Sequence, residues 1–253
     1  MQNWSEIIFS KGLSFEEKTK QVFEYQFKNN LVYHRYCEAL DENKAKREQK
    51  VQDDITNIPL LPIKAFKDAA VTTHPAEEVE LVFKSSGTSD MQRSIHRVYD
   101  SELYDQSLLN GFRHFYKLNN AVVWGYTPGY SENPDSSLIY MIQKLIDQDN
   151  SGLSRFLPLD EPLNPAAVKE VKRQGKQLIL FGAAFGLLDL LELEKIELPS
   201  NSIVIETGGM KTRRRQVSRS ELHKRLANGF GLDGSRIHSE YGMAELLSQA
   251  YTT

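Results

Sequence analysis

The sequence predicts an α/β fold in which N-terminal helices precede a largely parallel sheet with helices on its faces. Three observations predict it. The first forty residues carry helical periodicity with a start signal; the texture changes near residue 79 to short β-branched runs; and those runs then alternate with longer helical patterns to the end of the chain.

The elements follow in order. "SFEEKTKQVFEYQFKNN" opens with Ser14 and has Glu17 three residues on, the pattern of a capping box, and it sets Phe15, Val22, Phe23 and Phe27 near one helical stripe. "LVYHRYCEAL" reads as a second amphipathic helix, in which Cys37 is expected to pack in the core as a small hydrophobe. Residues 41–57 are charged and polar, and "IPLLPIKAF" contains two prolines that break regular structure, so this region is read as a connector. The organisation expected is therefore a helical segment with a charged linker over residues 1–57 and an α/β domain over 58–253. Within that domain the strand candidates are "EVELVF", "AVVWGY", "QLILFG", "NSIVIET" and "RIHSEYG". Helices are expected around 101–116, 136–148, 165–175, 184–194 and 218–229, the last opened by a second capping pattern from Ser218 to Glu221.

Composition narrows the function classes. The chain has 253 residues, 40% of them hydrophobic and 26% charged, which is enough to bury a sizeable core. A net charge of -3 gives no electrostatic case for nucleic acid or an anionic membrane. No run of about 18 apolar residues is present, so a membrane span is not expected, and a cytoplasmic location is. With Cys37 as the single cysteine, an intramolecular disulfide and a cysteine metal cluster are both excluded.

In α/β folds ligands bind on the loops that follow the carboxyl ends of strands. Three such loops stand out, and all three are expected on one edge of the parallel sheet. "SSGTSD" offers backbone amides and the hydroxyls of Ser85, Ser86, Thr88 and Ser89 to an anion such as a triphosphate, although it lacks the lysine and glycine spacing of a Walker A loop. "ETGGMK" pairs Gly208 with Gly209, which lets a flat ligand approach the backbone. "SEYGMAEL" supplies the Tyr241 ring for stacking and the Glu245 carboxylate for a hard cation such as Mg2+. Each loop also has a plainer reading: the first two as turns, and Glu245 as a carboxylate at a helix start.

The order of these loops resembles the adenylate-forming enzymes, which include the acyl-CoA ligases. More closely, "IPLLPIKAFK", "SSLIYMI", "ETGGMKTRRRQ" and "SEYGMAELLSQAY" are similar to the acyl-protein synthetase family, the LuxE-type fatty-acid ligases of bacterial luminescence systems. The similarity runs from about residue 55 to the end. It implies the fold of the large domain of adenylate-forming enzymes, with ATP and Mg2+ as cofactors. The phosphate loop would comprise Ser85, Ser86, Gly87, Thr88 and Ser89; Gly208, Gly209, Met210 and Tyr241, with Gly242 beside it, would flank the adenine. Glu245 would bind the metal, and Thr88 and Glu245 would be the catalytic residues.

The implied activity is an ATP-dependent acyl-adenylating ligase that activates a fatty or other carboxylic acid as acyl-AMP for transfer to a thiol, either a protein cysteine or coenzyme A. The alternatives are a phenylacetate-CoA-ligase-like enzyme and a non-catalytic nucleotide or acyl-adenylate binding module. Two positions depart from the family pattern: Asp90 stands where glycine is usual, and Ala244 where a threonine hydroxyl reaches the phosphate. Family members also continue into a small C-terminal domain with the catalytic lysine, so the resemblance implies that this part is absent here and that the acyl-accepting cysteine is not Cys37.

The remaining candidates are read as structural. Lys211 with Arg213, Arg214 and Arg215 reads as a solvated turn; His96, His114 and His238 lack metal-ligand spacing, with His238 placed where it would border an acyl pocket; and Trp124 is read as core. "FGAAFGLLDLLEL" is read as a buried helix rather than an acyl channel.

Overall fold

The computed structural model describes residues 3–40, 51–86, 92–129, 132–194, 196–208 and 217–252. The chain divides into two compact units, Met1–Gln106 and Ser107–Thr253.

The first unit contains α1 (Trp4–Ile8), α2 (Phe15–Asn29), α3 (Leu31–Leu40), the short α4 (Ala65–Asp68) and a hairpin of β1 (Leu81–Lys84) and β2 (Ile95–Val98). The start of α2 is a full capping box. Ser14 Oγ accepts from the Glu17 amide at 3.1 Å, and Glu17 Oε2 accepts from the Ser14 amide at 2.7 Å, which satisfies two amides the helix itself leaves unpaired. The face so oriented buries Phe23 and Phe27 against Tyr33, Cys37 and Val51, so the cysteine is core, as expected.

Helix α5 (Ser101–Phe115) contains the division between the units. The second unit is built on a six-stranded sheet of order β4-β3-β5-β6-β7-β8. Its strands are β3 (Ala121–Tyr126), β4 (Arg155–Phe156), β5 (Gln177–Gly182), β6 (Ile203–Glu206), β7 (Ile237–Gly242) and β8 (Gln249–Thr252). All neighbouring pairs are parallel except β7 with β8. The connections are α6 (Ser137–Ile146), α7 (Pro165–Arg173), α8 (Ala184–Leu193) and α9 (Arg219–Phe230).

β3 and β6 are buried at every residue because helices cover both faces of the sheet. Val122, Trp124, Leu178, Leu180 and Val204 pack with Val171, Leu187, Leu190, Leu226 and Phe230 from α7, α8 and α9. On the other face Phe181 meets Phe112 of α5. Each fully buried side chain of this size contributes about 1.5–3 kcal/mol, so the centre of the sheet is a rigid floor for the loops at its edge. Trp124 is part of that floor: it is 1% exposed, and Nε1 donates to the Leu153 carbonyl at 2.9 Å.

The α/β class and five of the strands stand where the sequence places them, but β1 does not join the parallel sheet. It pairs antiparallel with β2, Lys84 opposite Ile95. Only ten residues, 85–94, separate the two strands, too few for a helical crossover, so the chain folds back as a hairpin. Among the described residues no helix is long and apolar enough to cross a membrane.

Candidate functional site

The carboxyl edge of the second unit's sheet gathers a set of polar groups where β6 and β7 end. Glu206 closes an otherwise apolar strand and is 6% exposed, and its register partner is Ser239 of β7. A buried carboxylate loses its hydration and must be compensated by hydrogen bonds. One oxygen, Oε2, accepts from the Gly208 amide at 2.9 Å; the other accepts from the Ser239 hydroxyl, with His223 Nε2 3.6 Å away. Ser239 Oγ also lies 3.0 Å from Arg219 Nε and 3.1 Å from His223 Nε2. Arg219 Nη2 and the Ser239 amide both donate to Thr252 Oγ1, at 2.6 and 3.1 Å. The cluster therefore ties β6, β7, β8 and the first two turns of α9 together.

The opposite face of β7 carries His238 and Glu240 against an aromatic wall. Tyr116 and Tyr251 meet edge to face at 5.0 Å, and Phe112 lies 4.7 Å from Tyr116. Burial, with the nearby Glu206 charge adding to it, pushes the Glu240 carboxyl up to about 7. Burial likewise raises both tyrosine hydroxyls, and Glu240 reinforces the effect.

Gly208, two residues beyond Glu206, has a φ of 72°, the left-handed region that glycine enters freely. A Cβ built there would meet nothing within 4 Å among the described residues. Its carbonyl accepts from the Ala184 amide at 2.9 Å, while Thr207 N donates to Gly182 O at 3.1 Å. Tyr241, two residues beyond Ser239, is 63% exposed and leans on Met243, its hydroxyl 3.5 Å from Sδ. Gly242 beside it is exposed. Glu245 is half-buried in the turn between β7 and β8, which is closed by the Leu246 amide on the Met243 carbonyl at 3.1 Å. No helix follows β7: the chain returns as antiparallel β8, so Glu245 caps no helix.

The first unit holds Ser85 and Ser86. The Ser85 hydroxyl accepts from the Ser94 amide at 2.9 Å, its amide donates to Ser94 O at 3.0 Å, and Arg93 Nε donates to its carbonyl at 2.5 Å. β1, the strand these residues follow, is not a strand of the parallel sheet, on whose edge the sequence reading set this loop. Gly87, Thr88, Ser89 and Asp90, like Gly209, Met210, Lys211 and Arg213, Arg214 and Arg215, lie outside the described residues.

Glu206, Ser239 and Glu240 lie inside the motifs of the post-strand loops without a role that the motifs assign, and Arg219 and His223 lie outside those motifs. The available signal was a charged residue closing the apolar run "SIVIE". His238 is buried against Tyr116, and α8 buries one face, with Ala184, Leu187 and Leu190 in the core, while Leu193 at its end is exposed. A cleft of about 760 Å³, lined by Thr127, Pro128, Glu132, Phe156, Leu157 and Asp160, opens beyond the ends of β3 and β4 and was not anticipated. Among the described residues no group of three or more histidine, cysteine or acidic side chains is arranged to hold a metal ion.

A mainly parallel sheet covered on both faces, with polar groups gathered where the strands end, makes this an α/β domain, a class in which ligands bind at the carboxyl ends of the strands. No protein-family model matches the chain. The long-chain-fatty-acid–luciferin-component ligase of Vibrio harveyi is 33% identical over 78 residues, which are 31% of this chain and 19% of that protein. The protein of the same name from Photorhabdus luminescens is 32% identical over 105 residues, which are 36% of this chain and 83% of that relative. The chain belongs to this acyl-protein synthetase family. It spans only 19% of the length of the Vibrio harveyi relative.

Proposed function

We propose that the protein is an ATP-dependent acyl-activating ligase that works on a fatty or other carboxylic acid in the cytoplasm. The names of its relatives, both fatty-acid ligases, support the ligase class. The reaction proposed joins the acid's carboxylate to the α-phosphate of ATP with release of pyrophosphate, and then passes the acyl group to a thiol with release of AMP.

The observation that carries the nucleotide part is the pairing of a left-handed Gly208 with an exposed Tyr241 ring at the ends of adjacent strands β6 and β7. A flat base needs one face free of side chains and an aromatic surface to stack on, and these two positions are suited to both. Ser85 and Ser86 are the described members of the proposed phosphate loop. Glu245 suits an ion whose remaining ligands are phosphate oxygens and water, the usual arrangement for Mg2+. Bound there, the metal would offset the charge between an anionic acid and an anionic phosphate.

Calorimetric titration of the chain with Mg-ATP tests the proposal, beside Glu245→Ala and Tyr241→Ala. Binding by the intact chain, weakened severalfold in each variant, is the expected result. An affinity the same in all three proteins would remove both residues from the site.

A further inference from the structure

Resting on that nucleotide reading, we propose that Glu206 is a positioning residue, a buried carboxylate brace that fixes the Gly208 loop against the β7–β8 hairpin and so sets nucleotide affinity. The β6–β7 backbone ladder ends at Glu206 opposite Ser239. Beyond that pair Gly208 and Tyr241 would be free to move apart, yet they are the two positions between which a base must fit. The Glu206 carboxylate carries the connection past the last rung by taking the Gly208 amide on one oxygen and the Ser239 hydroxyl on the other.

The proton inventory makes the brace directional. Ser239 has one hydroxyl proton and gives it to Glu206. Its oxygen then accepts from Arg219 Nε and from His223 Nε2, which places a proton on that ring nitrogen. With one bond donated and two accepted, the Ser239 oxygen is saturated, so it is no nucleophile and serves to aim the carboxylate. On its other side the loop is held by main-chain bonds, Ala184 N to Gly208 O and Thr207 N to Gly182 O, with the Thr207 hydroxyl donating to the same Gly182 oxygen at 3.5 Å. The carboxylate thus supplies the side-chain tie toward the tyrosine. A hydrogen bond from an amide to an ionised carboxylate is about twice as strong as one between neutral partners, so loss of charge alone should loosen the loop.

The test uses this chain, isotopically labelled, with Mg-ATP as the probe and four proteins: the unaltered chain, Glu206→Gln, Ser239→Ala and, as a control for general loss of stability, Val171→Ala on the buried face of α7. Two quantities are read, the Mg-ATP dissociation constant and the chemical shift and exchange rate of the Gly208 amide without nucleotide. The brace predicts that E206Q weakens Mg-ATP about tenfold and moves the Gly208 amide to a weaker hydrogen bond. S239A should act in the same sense to a smaller extent, while V171A lowers the melting temperature and changes neither reading. S239A, which removes one hydroxyl, carries the test should E206Q not fold. Unchanged affinity and an unchanged Gly208 amide in the Glu206 and Ser239 variants would overturn the brace while leaving the nucleotide reading in place. Absence of Mg-ATP binding by the unaltered chain would overturn the nucleotide reading and with it the role in nucleotide affinity.

Discussion

The Tyr116 hydroxyl lies 2.9 Å from His238 Nδ1, and His238 Nε2 lies 3.0 Å from the Ser235 carbonyl oxygen. A carbonyl only accepts, so Nε2 carries the proton and Nδ1 takes the tyrosine hydroxyl's, a fixed neutral tautomer. Loss of hydration holds His238 below the usual histidine range; the Ser235 carbonyl opposes this, and Arg236 and His223 add to it. Because the folded state resists protonation, the stabilisation is complete above about pH 6.5 and is lost as pH falls through the lowered folded value. In His238→Gln that dependence should vanish. Urea unfolding between pH 5 and 8 reads it as a change in the slope of stability with pH.

Glu240 has the opposite sign. With its carboxyl pushed up to about 7 from an ordinary 4.5, the folded state binds a proton that the unfolded chain has released. Its stabilisation is present below the ordinary value and is lost as pH rises through 7. Glu240→Gln should therefore raise stability at pH 8 by roughly 1–3 kcal/mol and leave it nearly unchanged at pH 4.5. An equal gain at both values would mean that burial does not hold the Glu240 carboxyl above its ordinary range.

Asp149 anchors the approach to β4. Its oxygens accept from the Ser151 amide at 2.9 Å and hydroxyl at 2.7 Å, the Ser154 amide at 3.1 Å and hydroxyl at 2.7 Å, and Lys176 at 3.1 Å. Burial works against the charged form, but these five bonds outweigh it and hold the carboxyl well below its usual range. Asp149→Asn strands the Lys176 charge and replaces one acceptor oxygen with an amide donor, so a loss of roughly 2–4 kcal/mol is expected in denaturant unfolding at pH 7. The loss should shrink as pH falls below about 4, where the native carboxylate's contribution is itself disappearing.

Gly125 of β3 has no room for a side chain. A Cβ there would come within 2.7 Å of the Phe156 ring and 2.9 Å of an Ile142 methyl. Gly125→Ala is expected to cost about 1–3 kcal/mol by forcing the edge strand β4 and helix α6 outward. A chemical melt checks this, and Gly152→Ala is no substitute control because its positive φ adds backbone strain of its own.

The sequence was most legible where it was most apolar. "AVVWGY" and "QLILFG" coincide with β3 and β5 because an uninterrupted apolar run of strand length, bounded by helices, has few other readings. β2, β4 and β8 were passed over: "IHRV", "RF" and "QAYT" are short or polar, and their partners supply the pairing that makes them strands. The same limit applies to the site. Gly208 and Tyr241 were visible as residues after strands, whereas the Glu206–Ser239 link exists only through the β6–β7 register, a relation between distant segments that local pattern does not contain.

The sheet's strand order also governs how the second unit comes into being. β3, buried along its whole length, pairs on one side with β5, and the whole of α6, β4 and α7 lies between them in the chain. Closing so long a loop costs entropy before any strand pairing offsets it, so the centre of the sheet cannot zip as a hairpin would. On a ribosome Val122 and Val123 would wait, apolar and unpaired, until "QLILFG" had emerged, whereas α2 and α3 in the first unit need only each other and the residues beside them. The strand that makes the floor of the site rigid once folded is thus the segment most exposed to wrong partners while folding is under way.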